Sequence, residues 1–391
     1  MEQSQHQRPN PTASLLHLFT SFLRLGATAF GGPAMVAYIR KMAVEKNHWL
    51  DDHSARDGVA LCQTIPGATA IQMTAYVGFR ARGVAGAGVS FIGFGLPAFL
   101  FMMILSALYA RTHTLPAVVS GFNGLQAIIV AVVANATLSF GRASIKNWKN
   151  VINALIAAGL FWCKVSPILV IIVSALLGVV LYGGQAQPAG VNPKHGAHIP
   201  KSLFWILSVT AVGFGVIYFL DRKLFDLATL MFRIDLFAFG GGFASVPLMF
   251  YEVVQVRHWL DGPTLLNGIV LGQVTPGPIV MTATFVGYLL RGPLGGLLAT
   301  VCVFLPSFMI VIATAPYFNR LRSSPYFKKV ITGILCSFVG LLLTVTIRFA
   351  VDIPWDLPRI LLSGAAFVAL ILKVDILWVV LAGTVISLIV L

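Results

Sequence analysis

His48-Trp49-Leu50-Asp51 and, fifteen residues on from its start, Gln63-Thr64-Ile65-Pro66-Gly67 occur once near the N-terminus. Both return in the second half, as His258-Trp259-Leu260-Asp261 and Gln273-Val274-Thr275-Pro276-Gly277. Working outward, Arg24 and Phe30-Gly31-Gly32-Pro33 recur as Arg233 and Phe239-Gly240-Gly241-Gly242. Arg82-Gly83, Gly86 and Pro97 recur as Arg291-Gly292, Gly295 and Pro306, and Lys164-Val165 as Lys373-Val374. Chance likeness between apolar segments matches Leu, Val and Ala. It does not match Trp, Gln, Pro and Arg in order, so the chain is a duplicated module.

The medium of the module follows from composition. Of 391 residues, 58% are hydrophobic and 10% charged, against about 25% charged in soluble domains. Mean hydropathy is +0.88. Too few charges remain to cover a water-facing surface, so the main solvent is the lipid bilayer. The net charge of +14 comes from cations scattered between apolar runs, as in Arg80/Arg82 and Arg142/Lys146/Lys149. That is the pattern of loops flanking membrane helices; nucleic-acid binding needs a clustered basic face. The four cysteines lie in apolar stretches without a C-x-x-C pair and read as packing residues. The first apolar run contains Arg24 and shows no clear cleavage site, so no removable leader is expected.

Apolar segments of spanning length are expected at 15–39, 58–79, 84–109, 117–140, 151–162, 165–182, 203–220, 224–251, 265–290, 294–315, 330–349, 360–372 and 374–391. The pairs 151–162/165–182 and 360–372/374–391 are short enough to be tilted helices or bent hairpins. The expected fold is an all-α polytopic membrane protein with about 10–13 crossings. Its parts are a first module at 1–182, a Gly/Pro-rich linker with one crossing at 183–222, and a second module at 223–391. Six segments followed by one extra crossing turn the second module upside down, which is a transporter architecture. A small excess of Lys/Arg falls on the cytoplasmic side if the N-terminus is cytoplasmic.

Each module carries two Gly/Pro breaks inside apolar segments: Gly31-Gly32-Pro33 with Gly240-Gly241-Gly242, and Pro66-Gly67 with Pro276-Gly277. Glycine admits non-helical backbone and proline removes an N–H. In lipid such backbone survives only against protein or a water-filled cavity. Helices restarting there present free N–H groups and a partial positive charge, which is anion-binding chemistry. Close packing of small residues is the structural alternative. Arg24 and Arg233 suit a dianion by their guanidinium forks, or snorkel to headgroups. Gln63, Thr64, Gln273 and Thr275 can donate to an anion or bond between helices. Asp235 and Glu252 are the acidic residues of the apolar runs; residues aligned with them, Gly26 among these, are not acidic. An unpaired intramembrane carboxylate suggests proton coupling, and a salt bridge from Asp235 to Arg222, Lys223 or Arg233 is the alternative. The His-Trp-Leu-Asp pair reads as structural, with an interfacial Trp and a helix-starting Asp. No P-loop, metal-spaced cluster or nucleophile elbow occurs, so neither an enzyme nor a cofactor is expected.

The F-G-G-P/G, H-W-L-D and Q-x-x-P-G motifs, twice over nearly the whole chain, resemble the chromate ion transporter (CHR) superfamily in its long, bidomain form. The resemblance implies efflux of chromate across the bacterial inner membrane, coupled to the proton gradient, with oppositely oriented halves and a cytoplasmic N-terminus. It assigns the motif roles to Gly31, Gly32, Pro33, Gln63, Pro66, Gly67, Gly240, Gly241, Gly242, Gln273, Pro276 and Gly277. Gly242 stands where the first copy has Pro33, so the two sites are not equivalent. Sulfate is a chemically similar tetrahedral dianion and an alternative substrate, an anion channel is an alternative mechanism, and association as a homodimer is allowed.

Overall fold

A computed structural model describes residues 13–30, 33–182, 201–318 and 324–390. Gly31, Gly32 and linker residues 183–200 lie outside them, as does the side chain of Pro33. The described residues hold helices and no named strand. The first module has α1 (Leu15–Thr28), α2 (Pro33–Lys41), α3 (Asp52–Thr64), α4 (Thr69–Thr112), α5 (Pro116–Ser144), α6 (Trp148–Trp162) and α7 (Pro167–Leu181). A lone α8 (Lys201–Leu220) follows. The second module has α9 (Arg222–Leu236), α10 (Ser245–Met249), α11 (Gly262–Val274), α12 (Thr282–Thr314), α13 (Pro325–Asp352), α14 (Leu357–Ile371) and α15 (Ile376–Val390).

Helix starts follow local chemistry. Asp51 accepts from the Ser54 N–H at 2.7 Å and Asp261 from the Thr264 N–H at 2.8 Å. Both Asp residues of the His-Trp-Leu-Asp motif are therefore helix caps. Just before them the chain leaves the α-helix through matching π-turns at Met42–Lys46 and Phe250–Val256. Positive φ then falls on His48 (52°) and His258 (51°), and again on the repeat partners Lys164 (62°) and Lys373 (65°). Unusual backbone recurring at matched positions is a structural signature of the duplication.

The apolar runs at 15–39, 58–79, 224–251 and 265–290 are each two helical pieces, broken at the Gly/Pro motifs. Five described helical stretches are long and apolar enough to cross a membrane. Two of them, built on α4 and α12, are not single rods. Arg82 (φ −147°) and Gly83 (φ 63°) leave helical geometry, as do Arg291 and Gly292. A Cβ on Gly78 would overlap the carbonyl of Gly86, and one on Gly287 that of Gly295. Eight residues of straight helix span about 12 Å, so each chain folds back sharply there. Each module thus contributes two arms, which is where the sequence reading placed its segment boundary.

Helices α5 and α13 are repeat partners and pack against each other. Thr137 Oγ1 lies 3.2 Å from Thr346 Oγ1, the residue 209 positions later. A residue touching its own repeat partner marks an approximate two-fold axis. Around it the hairpin α6–α7 packs on α13 of the other module, and α14–α15 pack on α5. Each of these four helices has 15 residues. At 1.5 Å per residue that is about 22 Å, short of a ~30 Å hydrocarbon core. Outside this exchange lies α8, with Phe204, Trp205 and Phe219 exposed toward the surroundings.

Candidate functional site at the crossing of four broken helices

Three of the breaks meet, together with Ala29 at the end of α1. The Gly67 N–H donates to the Ala238 carbonyl at 2.8 Å, and the Gly277 N–H to the Ala29 carbonyl at 3.1 Å. Ala29 and Ala238 are repeat partners, as are Gly67 and Gly277, so the two-fold exchanges these bonds. Pro66 forms an isolated antiparallel bridge with Phe239. A Cβ on Gly241 (φ 101°) would lie 3.2 Å from Thr69 Oγ1, at the start of α4. One on Gly242 would lie 2.9 Å from Ile279, where the chain restarts after Pro276-Gly277. Gly240 (φ 94°) leaves no room for a side chain against the Phe140 ring. Each module therefore satisfies its broken backbone on the other, as lipid demands.

One of the two crossings carries an ionisable group. Asp235, at the end of α9, is fully buried. Its Oδ2 accepts from the Ser307 N–H at 2.8 Å, and its Oδ1 has no partner among the described residues. The Ser307 hydroxyl faces the same carboxylate and accepts from the Ala68 N–H at 3.2 Å. Gln72 is also fully buried; its amide N–H donates to the Pro66 carbonyl, while its Oε1 has no partner among the described residues. No ion pair to Asp235 occurs among the described residues, so the salt bridges to Arg222, Lys223 or Arg233 do not form.

The remaining expected site residues divide. Pro66, Gly67, Gly241, Gly242, Pro276 and Gly277 are at the crossing, and the buried Gln273 Nε2 has no partner among the described residues. Thr64 and Thr275 spend their hydroxyls on the Ala60 and Gly272 carbonyls of their own helices. Gln63 is exposed. Arg24 is exposed on α1. Arg233 bonds Glu252 Oε1 at 3.2 Å, and Arg257 Nε lies 3.5 Å from Oε2. Glu252 is thus not the unpaired carboxylate its apolar surroundings suggest: the π-turn brings Arg257 onto it from five residues on. Sequence reasoning missed Gln72 and Ser307, single polar residues in apolar runs. Comparing the copies position by position flags both, since the equivalents are Met281 and Ala98. A cavity of about 430 Å³ lies elsewhere, between Val130, Ala131, Trp355 and Phe367. Its apolar lining does not suit a dianion.

The chromate transporter family model matches twice, at residues 16–179 and 225–388. The chain belongs to the chromate transporter family. An uncharacterised transporter of Methanocaldococcus jannaschii is 43% identical over 97% of this chain and 95% of its own. The chromate transport protein of Cupriavidus metallidurans is 29% identical over 93% of this chain and 89% of its own. An uncharacterised Bacillus subtilis transporter is 33% identical over 40% of this chain and 83% of its own, the size of a single module. No solved structure matches the chain. Membership makes it a multi-pass membrane transporter rather than an enzyme, and supports chromate transport at the level of the family.

Proposed function

We propose that the chain is a secondary transporter that exports chromate from the cytoplasm, coupled to the proton gradient, and so confers chromate resistance. Residues 1–182 and 223–391 act as two modules, and the crossing within 183–222 turns the second one over. The site is the bacterial inner membrane, with the N-terminus cytoplasmic. The observation that carries the reading is the meeting of broken helices from both modules through Gly67–Ala238 and Gly277–Ala29.

Half-helix N-termini at such a crossing offer N–H groups and partial positive charge to a tetrahedral dianion. Gln273 Nε2 is a further donor, without a partner among the described residues. Asp235 supplies the coupling. An empty carrier that resets with a buried, unpaired carboxylate bears a desolvation cost of several kcal/mol. A proton taken from outside removes that cost, so the return step runs with the proton gradient. Sulfate has the same shape and charge, and donors of this kind do not separate the two anions.

Expression in a chromate-sensitive bacterium is expected to lower chromate accumulation, with the effect removed by a protonophore. Unchanged accumulation, with the protein in the membrane, overturns the substrate. Export that persists without the proton gradient and follows the electrochemical gradient of chromate overturns the coupling and favours a channel.

A further inference from the structure

The two crossings are equivalent in backbone and opposite in chemistry. Gly67 packs against Ser307, and its two-fold partner Gly277 against Ala98, where an added Cβ would lie 2.7 Å away. In the first crossing stand Asp235, Ser307, Gln72 and the Ala68 N–H. At the matching positions of the second stand Gly26, Ala98, Met281 and Pro278, which has no N–H. The register is fixed by the close-packed pair Gly78 and Gly287, six residues after Gln72 and Met281. Each of these four polar groups of the first crossing is absent from the second.

Stability alone does not call for such a cluster, because the apolar twin packs the same backbone. Two oxygens in the cluster, Asp235 Oδ1 and Gln72 Oε1, belong to fully buried side chains and have no partner among the described residues. The hydroxyl of Ser307 and the carbonyl of Pro66 lie beside them: a Cβ at Gly67 would overlap Ser307 Oγ and reach 2.5 Å from Gln72 Nε2. Hard oxygens with one formal negative charge at unwound backbone suit a monovalent cation; calcium and magnesium take more carboxylates or waters.

We propose that this crossing binds one sodium-sized monovalent cation per chain, in exchange with a proton on Asp235. The proposal rests on Asp235 being the coupling group. Among the described residues no neighbouring charge competes for it. On its own helix Arg233 goes to Glu252, and on α12 Arg291 goes to Asp221. Arg82 of α4 donates to the Ala13 carbonyl, and the loop at 65–68 has no charged residue.

The test is equilibrium binding of radioactive sodium to the purified full chain in detergent, at neutral and acidic pH. Expected is saturable binding near one ion per chain, displaced by acid but not by choline. Asp235→Asn is expected to abolish it, and Gln72→Met and Ser307→Ala to weaken it at least tenfold. Those last two variants install residues that the twin crossing already packs, and monodisperse elution reports their folding. Absence of saturable binding in monodisperse wild-type protein overturns the proposal, as does undiminished binding in Asp235→Asn. The two readings fail separately. Sodium binding intact with chromate transport indifferent to the proton gradient supports the cation site and removes only the proton coupling. No sodium binding in a protein whose transport follows that gradient removes the sodium site alone.

Discussion

Replacing Gly67 with alanine probes the crossing directly. Gly67 has φ +117°, outside the range of L residues, and strain of this kind costs about 1–3 kcal/mol. The new methyl would also overlap Ser307 Oγ and press on Gln72 Nε2. Forcing one methyl into a packed site adds about 1–3 kcal/mol. The total expected loss is about 2–6 kcal/mol. Gly83→Ala is the reference: φ is +63° with ψ −153°, and nothing lies within 4 Å of its added Cβ, so strain of about 1–3 kcal/mol acts alone. The assay is the heat-induced loss of monodisperse protein in detergent, paired with chromate transport in vesicles. Gly67→Ala should fall well below Gly83→Ala in midpoint and lose transport. Adding Ser307→Ala should recover part of the midpoint, with a coupling of about 0.5–3 kcal/mol. Equal midpoints for the two alanine variants, or no recovery in the double variant, would refute the packed crossing.

Loss of either helix cap, by Asp51→Ala or Asp261→Ala, should cost about 0.5–2 kcal/mol in the same assay. The Ser54 N–H holds the Asp51 carboxyl below the usual carboxylate range. Its contribution is therefore full above about pH 4 and is lost as pH falls through the lower native value. Asp51→Asn should flatten that acid limb. Glu252→Gln leaves Arg233 and Arg257 without their acid, but Arg233 is 45% exposed, so stability should change by under about 1 kcal/mol. Because Glu252 already matches the charge of Arg233, Arg24→Ala should reduce chromate transport more than Arg233→Ala. The reverse order in a vesicle assay would count against a role for Arg24 with the anion.

The duplication and the position of the breaks are legible in the sequence, because Gly, Pro and Trp constrain backbone and depth in ways that Leu and Val do not. Even the turn at Arg82-Gly83 falls where the apolar segments were divided. The partners of each break are not legible. Gly67 finds Ala238 across the two-fold axis, and nothing local to either loop encodes that pairing. Asp235 stood out because a carboxylate is rare in apolar runs, whereas Gln72 and Ser307 pass as ordinary helix residues until the fold puts them beside it. Glu252 misled for the opposite reason: Arg257, five residues on, falls off an α-helical face, and only the π-turn at Phe250–Val256 brings it back.

The most direct test is uptake of radioactive chromate into proteoliposomes holding the purified chain, with and without an imposed proton gradient. Wild-type protein should accumulate chromate above its equilibrium level only when the gradient is present, and Asp235→Asn should leave only uncoupled equilibration. Chromate entry that ignores the gradient, or gradient-driven accumulation that survives Asp235→Asn, would contradict the account.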